Sequence, residues 1–559
     1  MKTLKLLICL GLLTTALASC YKDLGNDVYH EINELEIKGL MSRYEKDQDD
    51  SLKIPIDLSG TQYSDTTKFT FAWEIAQKIV STHKDLKIKV NMSIGEQLGR
   101  LIITDKTNSA KSYFRFSLRV SSSTAGDLIV VLSKYNGEAE LSYKRLDKDG
   151  EFVVNYYKSR FGVPLGTGPK SIHVNYNHWS TQVPFSDVAT LGGLQVLSEE
   201  GLKILDKNTM GPKTNLDYIT GATFAAALPP YPIQDVSNFK PELVSYQVST
   251  WSHNPYGGIN QSGNLVLISN GGLYFIQIEK SGSRFYVNQK PTGGYLAPAY
   301  CYASLTNHIQ AANTPLKMRG YNVSSYMLMY DDLNGKFLYS NFGSYPGKIL
   351  DTDKKEYMPS YPGYKMIHAT HTSNPNKCIA VLHNGIQTKL VYLTVPNNGT
   401  ELKNMPFAVN GTVDVSKEVI RADSKFYTMK YSPYLIFSSG NKLYRYNALN
   451  VLNNSAPTEV IADLRTMGYD ADASISSFTV SRTEKTLIMA VSRYHNDAEL
   501  NSTAVMGDVV MMNLNNASIS LEFNKKYEGV SGKAADIKIK YQTHQRDGVN
   551  MDGLYVDKI

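Results

Sequence analysis

The chain of 559 residues carries little cysteine: four in all, Cys9, Cys20, Cys301 and Cys378. None forms a CxxC pair and none stands at a zinc spacing from histidines, so neither a disulfide-stapled small domain nor a structural zinc site is expected. Charge of one sign is also scarce. The formal net charge is +6, with lysines and arginines scattered along the chain, which argues against nucleic acid as a partner. Amphipathic helical periodicity is nearly absent. There is no Gly-x-Ser-x-Gly elbow and no Gly-Lys-Ser/Thr phosphate cradle, which removes two common enzyme signatures. After residue 20 no apolar run approaches the roughly 20 residues that a membrane-crossing helix needs.

What is present starts with a leader. Lys2 and Lys5 precede the apolar run Leu6 to Leu13, and small residues lead to Leu17-Ala18-Ser19-Cys20. The run is too short to cross a bilayer and reads as a removed signal peptide, residues 1–19. Its end resembles the lipobox of bacterial lipoproteins, in which the cysteine thiol, here Cys20, takes the lipid and becomes the new N-terminus. Loss of Lys2 and Lys5 with the leader lowers the formal charge from +6 to +4. Acyl chains on Cys20, at about 0.8 kcal/mol per buried CH₂, would anchor the chain to a membrane. Residues 20–30 are polar and are expected to form a tether.

From 31 to 122 short runs alternate apolar and polar residues, as in Leu52-Lys53-Ile54-Pro55-Ile56 and Phe69-Thr70-Phe71-Ala72-Trp73-Glu74-Ile75. Period-two alternation broken by turn residues predicts half-buried strands, and some ninety such residues around one tryptophan suit an immunoglobulin-like sandwich. Ser121 to Gly126 reads as a linker.

Beyond it, over 123–559, a pattern repeats: an apolar strand, a polar turn usually with glycine, and a second strand rich in leucine and tyrosine. Copies begin at Leu128, Leu194, Leu265, Met327, Cys378, Tyr434 and Leu487, at intervals of roughly 50 to 70 residues. Seven hairpins, each extended by two further strands, predict a β-propeller of about seven blades. If the ring closes, the last strands should complete a blade with the first. Cys378 lies in the apolar run Cys378-Ile379-Ala380-Val381-Leu382 and is expected as a buried free thiol, with a disulfide to Cys301 as the other reading.

Several stretches together resemble a known family. They are Cys20-Tyr21-Lys22-Asp23, Phe71-Ala72-Trp73-Glu74-Ile75, the segment Ser133 to Ser142, and Tyr330 to Leu338. The chain is similar to surface lipoproteins of Bacteroidetes with a PKD-like N-terminal domain followed by a propeller-like region. The resemblance implies an outer-membrane place facing the cell exterior, beside SusC/SusD-type importers, as an accessory that captures or hands over nutrient. It implies no catalytic residue and no cofactor.

Candidate chemistry is sparse. His368 and His371 could offer two imidazoles to a metal, but no third ligand is evident and both read as polar loop residues. Asp470 and Asp472 read as a solvated turn, not a calcium loop. No catalytic, metal or cofactor site is therefore expected. The stronger signal is aromatic: Trp251 and Tyr256, then Tyr295, Tyr300 and Tyr302, then Tyr345, Tyr361 and Tyr364, all close to proline and glycine. Such punctuation places rings in loops, where binding residues gather, and tyrosine offers both a flat face and a hydroxyl. The leading expectation is a non-enzymatic binder of glycan or oligopeptide. The alternatives are a surface propeller hydrolase acting on the same material, and a structural scaffold or lid of the importer.

Overall fold

A computed structural model describes residues 33–175, 193–206, 208–212, 239–254, 258–279, 284–289, 291–305, 320–321, 324–341, 349–351, 357–374, 377–395, 407–429, 431–481, 483–493 and 505–541. The leader, Cys20, the tether, Tyr256 and Tyr345 lie outside these residues. The chain divides into two compact units, Met1–Ser123 and Thr124–Ile559. Among the described residues no helix is long and apolar enough to cross a membrane.

The first unit is a β-sandwich. Its larger sheet runs Arg43–Asp47, Lys111–Ser121, Gly95–Asp105, Phe69–Ile75 and Lys78–Ser81, all antiparallel neighbours except the first pair. Two smaller pairs, Leu35–Lys38 with Asp57–Gly60 and Ser51–Ile54 with Leu86–Lys89, complete it. The alternation puts Trp73, Leu101, Leu118, Ile54 and Leu86 into one core. Trp73 is fully buried, and its indole N–H donates to the carbonyls of His83 at 3.0 Å and Lys84 at 3.1 Å. Phe116 meets it edge-on, and Gly99 opposite leaves the room that Phe116 takes: a Cβ there would lie 2.4 Å from the ring.

The second unit is a propeller of seven sheets among the described residues. Blade 1 joins Lys533–Lys540, Leu128–Tyr135 and Glu138–Arg145; blade 2 joins Ser171–Asn175, Gly193–Leu197 and Leu202–Leu205. Blade 3 is five-stranded and is built on Pro241–Asn254 and Gly258–Ser269. Blade 4 joins Cys301–Leu305, Ser324–Asp331, Lys336–Asn341 and Ile349–Asp351. Blade 5 joins Lys365–His371, Lys377–His383, Gln387–Thr394 and Ala408–Ser416. Blade 6 joins Phe426–Thr428, Tyr434–Ser439, Lys442–Asn447 and Glu459–Asp463; blade 7 joins Ser474–Val480, Thr486–Ser492, Gly507–Asn515 and Ser520–Ser531. Each of the seven hairpins anticipated from sequence is the second and third strand of one blade. The ring is closed by the last described strand, Lys533–Lys540, which pairs antiparallel with Leu128–Tyr135 as the innermost strand of blade 1.

Blade packing explains why these hairpins are continuously apolar. Each second strand is covered on both faces. In blade 1, Leu128, Val130 and Leu132 pack toward blade 2, while Ile129 and Val131 pack toward blade 7. In blade 5, Cys378, Ala380 and Leu382 face blade 4, and Ile379 and Val381 face blade 6. A strand buried on both faces loses the polar half of its alternation. The tight turns use positive φ where expected: Asn136 and Gly137 at +49° and +79°, Asn270 and Gly271 at +47° and +69°.

Several innermost strands carry polar groups that tie blades together. Asp536 is buried: it accepts from Ile172 N–H of blade 2 at 2.9 Å and from Ser477 Oγ of blade 7 at 2.7 Å. His368 and His371, expected in a loop, lie instead on the innermost strand of blade 5. His368 stacks on Phe426 of blade 6 at 4.7 Å, so its imidazole serves as inter-blade packing. Among the described residues no group of three His, Cys, Asp or Glu side chains could hold a metal ion. Asp470 and Asp472 do lie in an exposed turn.

Candidate functional site

In an antiparallel meander the turn between second and third strands shares an end with the connection to the next blade. That end gathers the loops. The turn glycine carbonyl accepts from the chain leading into the next blade in three cases: Gly271 O from Leu296 N and Gly335 O from Tyr361 N, both in connections, and Gly440 O from Ile475 N at the start of the next strand. Those two connections carry tyrosines singled out from sequence, and over blades 3 to 5 they meet an acidic turn.

The turn is Asp331-Asp332-Leu333-Asn334-Gly335. Asp331 is fully buried, and its carboxylate accepts from the backbone N–H groups of Tyr295 (2.9 Å) and Leu333 (3.0 Å) and from the Asn334 amide (2.6 Å). This holds the turn and fixes the Tyr295 backbone to it. Gly294 is required beside it, since a Cβ would sit 2.3 Å from Asp331 Oδ2. Asp332 joins the first connection to blade 5: its backbone N–H donates to Tyr295 O at 2.8 Å, and its carboxylate accepts from Met366 N–H, on the innermost strand of blade 5, at 3.0 Å. Burial pushes the Asp332 carboxyl up to about 6, against the Met366 N–H and the Lys365 charge, with Asp331 and Glu242 adding to the rise. Glu242, at the start of the long first strand of blade 3, encloses its Oε2 without a hydrogen-bond partner among the described residues.

The predicted tyrosines fall into different places. Tyr295 remains exposed at 38%, its ring lying over Gly271, where a Cβ would come within 2.4 Å of it. Burial raises its hydroxyl pKa, and Glu242 and Asp332 add to that. Tyr361 and Tyr364 are half-buried against the core between blades 4 and 5, with their hydroxyls engaged. Tyr361 pairs with Thr412 Oγ1 at 3.1 Å, and Tyr364 donates to Gln387 Oε1 at 3.0 Å. Lys389 lies over the Tyr364 ring, 5.2 Å from its centroid. Tyr300 packs against the core between blades 3 and 4.

Two others differ from the loop expectation. Trp251 lies within strand Pro241–Asn254, paired with Gln261 and Tyr321, and the ladder runs on past it to Asn254. Tyr302 lies in strand Cys301–Leu305, opposite Met327, since Pro298 precedes the strand. Sequence reasoning missed Asp332 and Glu242, whose separation along the chain hides their common neighbourhood. The one local hint was the acidic pair just before Asn334-Gly335.

A second polar group sits at the ring centre. Ser171 Oγ lies 2.9 Å from His173 Nε2, a contact that would suit nucleophilic catalysis. His173 is buried, and burial holds its imidazole neutral, down to about 4. Its Nδ1 has no hydrogen-bond partner among the described residues, and Asp536 gives its oxygens to Ile172, Ser477 and Ile537. The third member that would orient such a pair is thus committed elsewhere.

Residues 20–169 match the PKD-like family, a span that covers the sandwich and runs past it through the first hairpin of blade 1. No curated protein matches the chain. Among solved structures, the chain is similar to a quinonprotein alcohol dehydrogenase-like protein from Bacteroides thetaiotaomicron, at 11% identity and a TM-score of 0.41, over 90% of this chain and 95% of that one. It is also similar to a protein described as a candidate 6-phosphogluconolactonase from Bacteroides uniformis, at 12% identity and a TM-score of 0.39, over 74% of this chain and 99% of that one. A third likeness is to the Dos1 propeller, at 10% identity and a TM-score of 0.34, over 70% and 86%. The seven-sheet order carries the fold by itself, and none of these likenesses bears on activity.

Proposed function

We propose that the chain is an outer-membrane surface lipoprotein that binds glycan or oligopeptide fragments without cleaving them, as an accessory of a SusC/SusD-type importer. The observation that supports binding is the group at the loop-bearing end of blades 3 to 5. It sets an exposed ring, Tyr295, beside the carboxyl groups of Asp332 and Glu242, one of which holds an unpartnered acceptor. A flat aromatic face with acceptors at its edge suits a sugar ring or a peptide side chain. Stacking adds about 0.5–1.5 kcal/mol per ring beyond area burial, so one exposed tyrosine and two acceptors give micromolar to millimolar affinity. Weak holding fits a protein that must pass its ligand on.

The hydrolase is the second reading, because a carboxyl group raised to about 6 beside another acid is how acid–base pairs are built. One experiment separates the two. Mature protein is incubated with oligosaccharide and oligopeptide mixtures, and the ligands are chromatographed before and after. Binding that weakens in Tyr295→Ala, with every ligand recovered intact, supports the binder. Shortened products that vanish in Asp332→Asn hand the function to the hydrolase. No binding at all in wild type rejects both.

A further inference from the structure

Two thiols from different blades meet inside the wall between blades 4 and 5. Cys301 opens the innermost strand of blade 4, opposite Leu328, and Cys378 lies on the second strand of blade 5, opposite His371 and Leu393. Both are buried cysteines. Period-two register turns both toward the same interface, where they share one apolar cluster with Leu328, Tyr330, Ala369 and Leu393. The two thiols are in hydrogen-bond contact with each other, and a backbone hydrogen bond from Thr370 also reaches the Cys378 sulfur. A single buried cysteine behaves as a small apolar side chain. Two in contact across an interface are placed for covalent joining, which requires side chains that point at each other from neighbouring strands.

We propose that Cys301 and Cys378 are joined by a disulfide between blades 4 and 5 when the chain matures in an oxidising compartment. The oxidant is the disulfide of a thiol–disulfide exchange protein. One cysteine thiolate attacks that S–S bond, forming a mixed disulfide and releasing one thiolate of the donor. The second cysteine thiolate attacks the mixed disulfide and expels the other. Two S–H bonds are lost and one S–S bond forms, two protons leave, and two electrons reduce the donor to a dithiol. Burial pushes the Cys378 thiol well up, so in the closed wall Cys378 is not a nucleophilic thiolate. The exchange therefore precedes the closing of blade 5 on blade 4. The finished bond encloses the run from Ser324–Asp331 through Lys365–His371, and the same wall then shields it from soluble thiols.

The proposal rests on the export expected from the leader, so its test has two arms. In the first, mature protein carrying Cys20→Ala, whose only thiols are Cys301 and Cys378, is reduced, unfolded in urea and refolded with oxidised glutathione. It is then denatured, alkylated and mapped without reduction. A peptide linking Cys301 to Cys378 is expected; alkylated or glutathione-capped cysteines at both positions overturn the proposal whatever the compartment. In the second arm the protein recovered from cell membranes is mapped directly. A linked peptide is expected, and two alkylated thiols there overturn the maturation claim even if the refolded protein links. Dithiothreitol added to the unfolded state should lower the melting midpoint of the linked protein. It should leave the Cys301→Ala/Cys378→Ala protein, which keeps the wall apolar, unchanged.

Discussion

Replacing Asp536 with alanine should loosen the ring at its seam. This carboxylate belongs to the closing strand of blade 1 and accepts one hydrogen bond from each neighbouring blade, Ile172 N–H at 2.9 Å and Ser477 Oγ at 2.7 Å. Its removal leaves both donors buried and unmatched, at about 1–3 kcal/mol each. Lys538, 3.8 Å away, also loses its counter-charge. A total of about 3–5 kcal/mol is expected, a large share of the 5–15 kcal/mol that holds a typical domain folded. Ser477→Ala should cost only about 1 kcal/mol, because the carboxylate keeps its remaining donors. In the double variant Ser477 is no longer orphaned, so the combined loss should fall short of the sum by about 1–2 kcal/mol. Urea denaturation gives the free energies, and hydrogen-exchange mass spectrometry should show strands Ser171–Asn175 and Ser474–Val480 losing protection together. The folded-state pKa of Asp536 is depressed below 3.8, mainly through Lys538 and the Ile172 N–H acting against burial. Its stabilisation is therefore present above the unfolded value and lost as pH falls through the folded one. The gap between wild type and Asp536→Asn should narrow below about pH 4. An Asp536→Ala protein within about 0.5 kcal/mol of wild type, or a strictly additive double variant, would refute the reasoning.

Deleting the chain from Ile537 removes half the closing strand, and should lower the cooperative melt of the whole propeller instead of fraying one blade; an unchanged melt by calorimetry would argue against ring closure. Gly335→Ala should destabilise by more than the usual 1 kcal/mol or so, because its φ is +66° and the new Cβ would meet the Tyr361 carbonyl at 2.5 Å; chemical denaturation measures it. His173 and His368 are held neutral down to about 4 and about 3, chiefly by burial, so the unfolded chain takes up protons first and stability should fall as pH drops from 6.5 toward 4. Asp332 acts oppositely over roughly pH 4 to 6, where the folded chain keeps a proton that the unfolded chain has lost, so Asp332→Asn should steepen the acid decline in denaturation free energy. Cys20→Ala should leave the protein unlipidated and released from membranes; its recovery in carbonate-washed membranes would contradict the lipobox reading.

The seven hairpins were readable because their strands have neighbours on both sides: Leu487, Met489 and Val491 face blade 6 while Ile488 and Ala490 face blade 1, leaving an unbroken apolar run. Innermost strands were not readable. Phe426–Thr428 has three residues, too few for any period to show. His368 and His371 belong to a strand whose Met366 and His368 are offset by a bulge, which breaks the alternation that would have revealed it. Trp251 stands close to Pro255-Tyr256-Gly257-Gly258, residues that in sequence signal a loop, yet the ladder continues to Asn254. For the candidate site, proline and glycine correctly marked the connections of Tyr295, Tyr361 and Tyr364. Asp332 and Glu242 become neighbours only through the packing of blade 3 against blade 4, and no local pattern announces that.

The order of strands along the chain also sets a timetable. The strand that seals blade 1 is the last one described, Lys533–Lys540, whereas its partner Leu128–Tyr135 is the first of the ring. During synthesis, Ile129 and Val131 must wait for more than three fifths of the polypeptide to follow before blade 7 can cover them. An unsealed arc with an apolar face at each end invites pairing with a second chain. Such an intermediate should engage holding chaperones at both faces, and chains stalled short of Lys540 should be captured by them or aggregate while full-length chains escape.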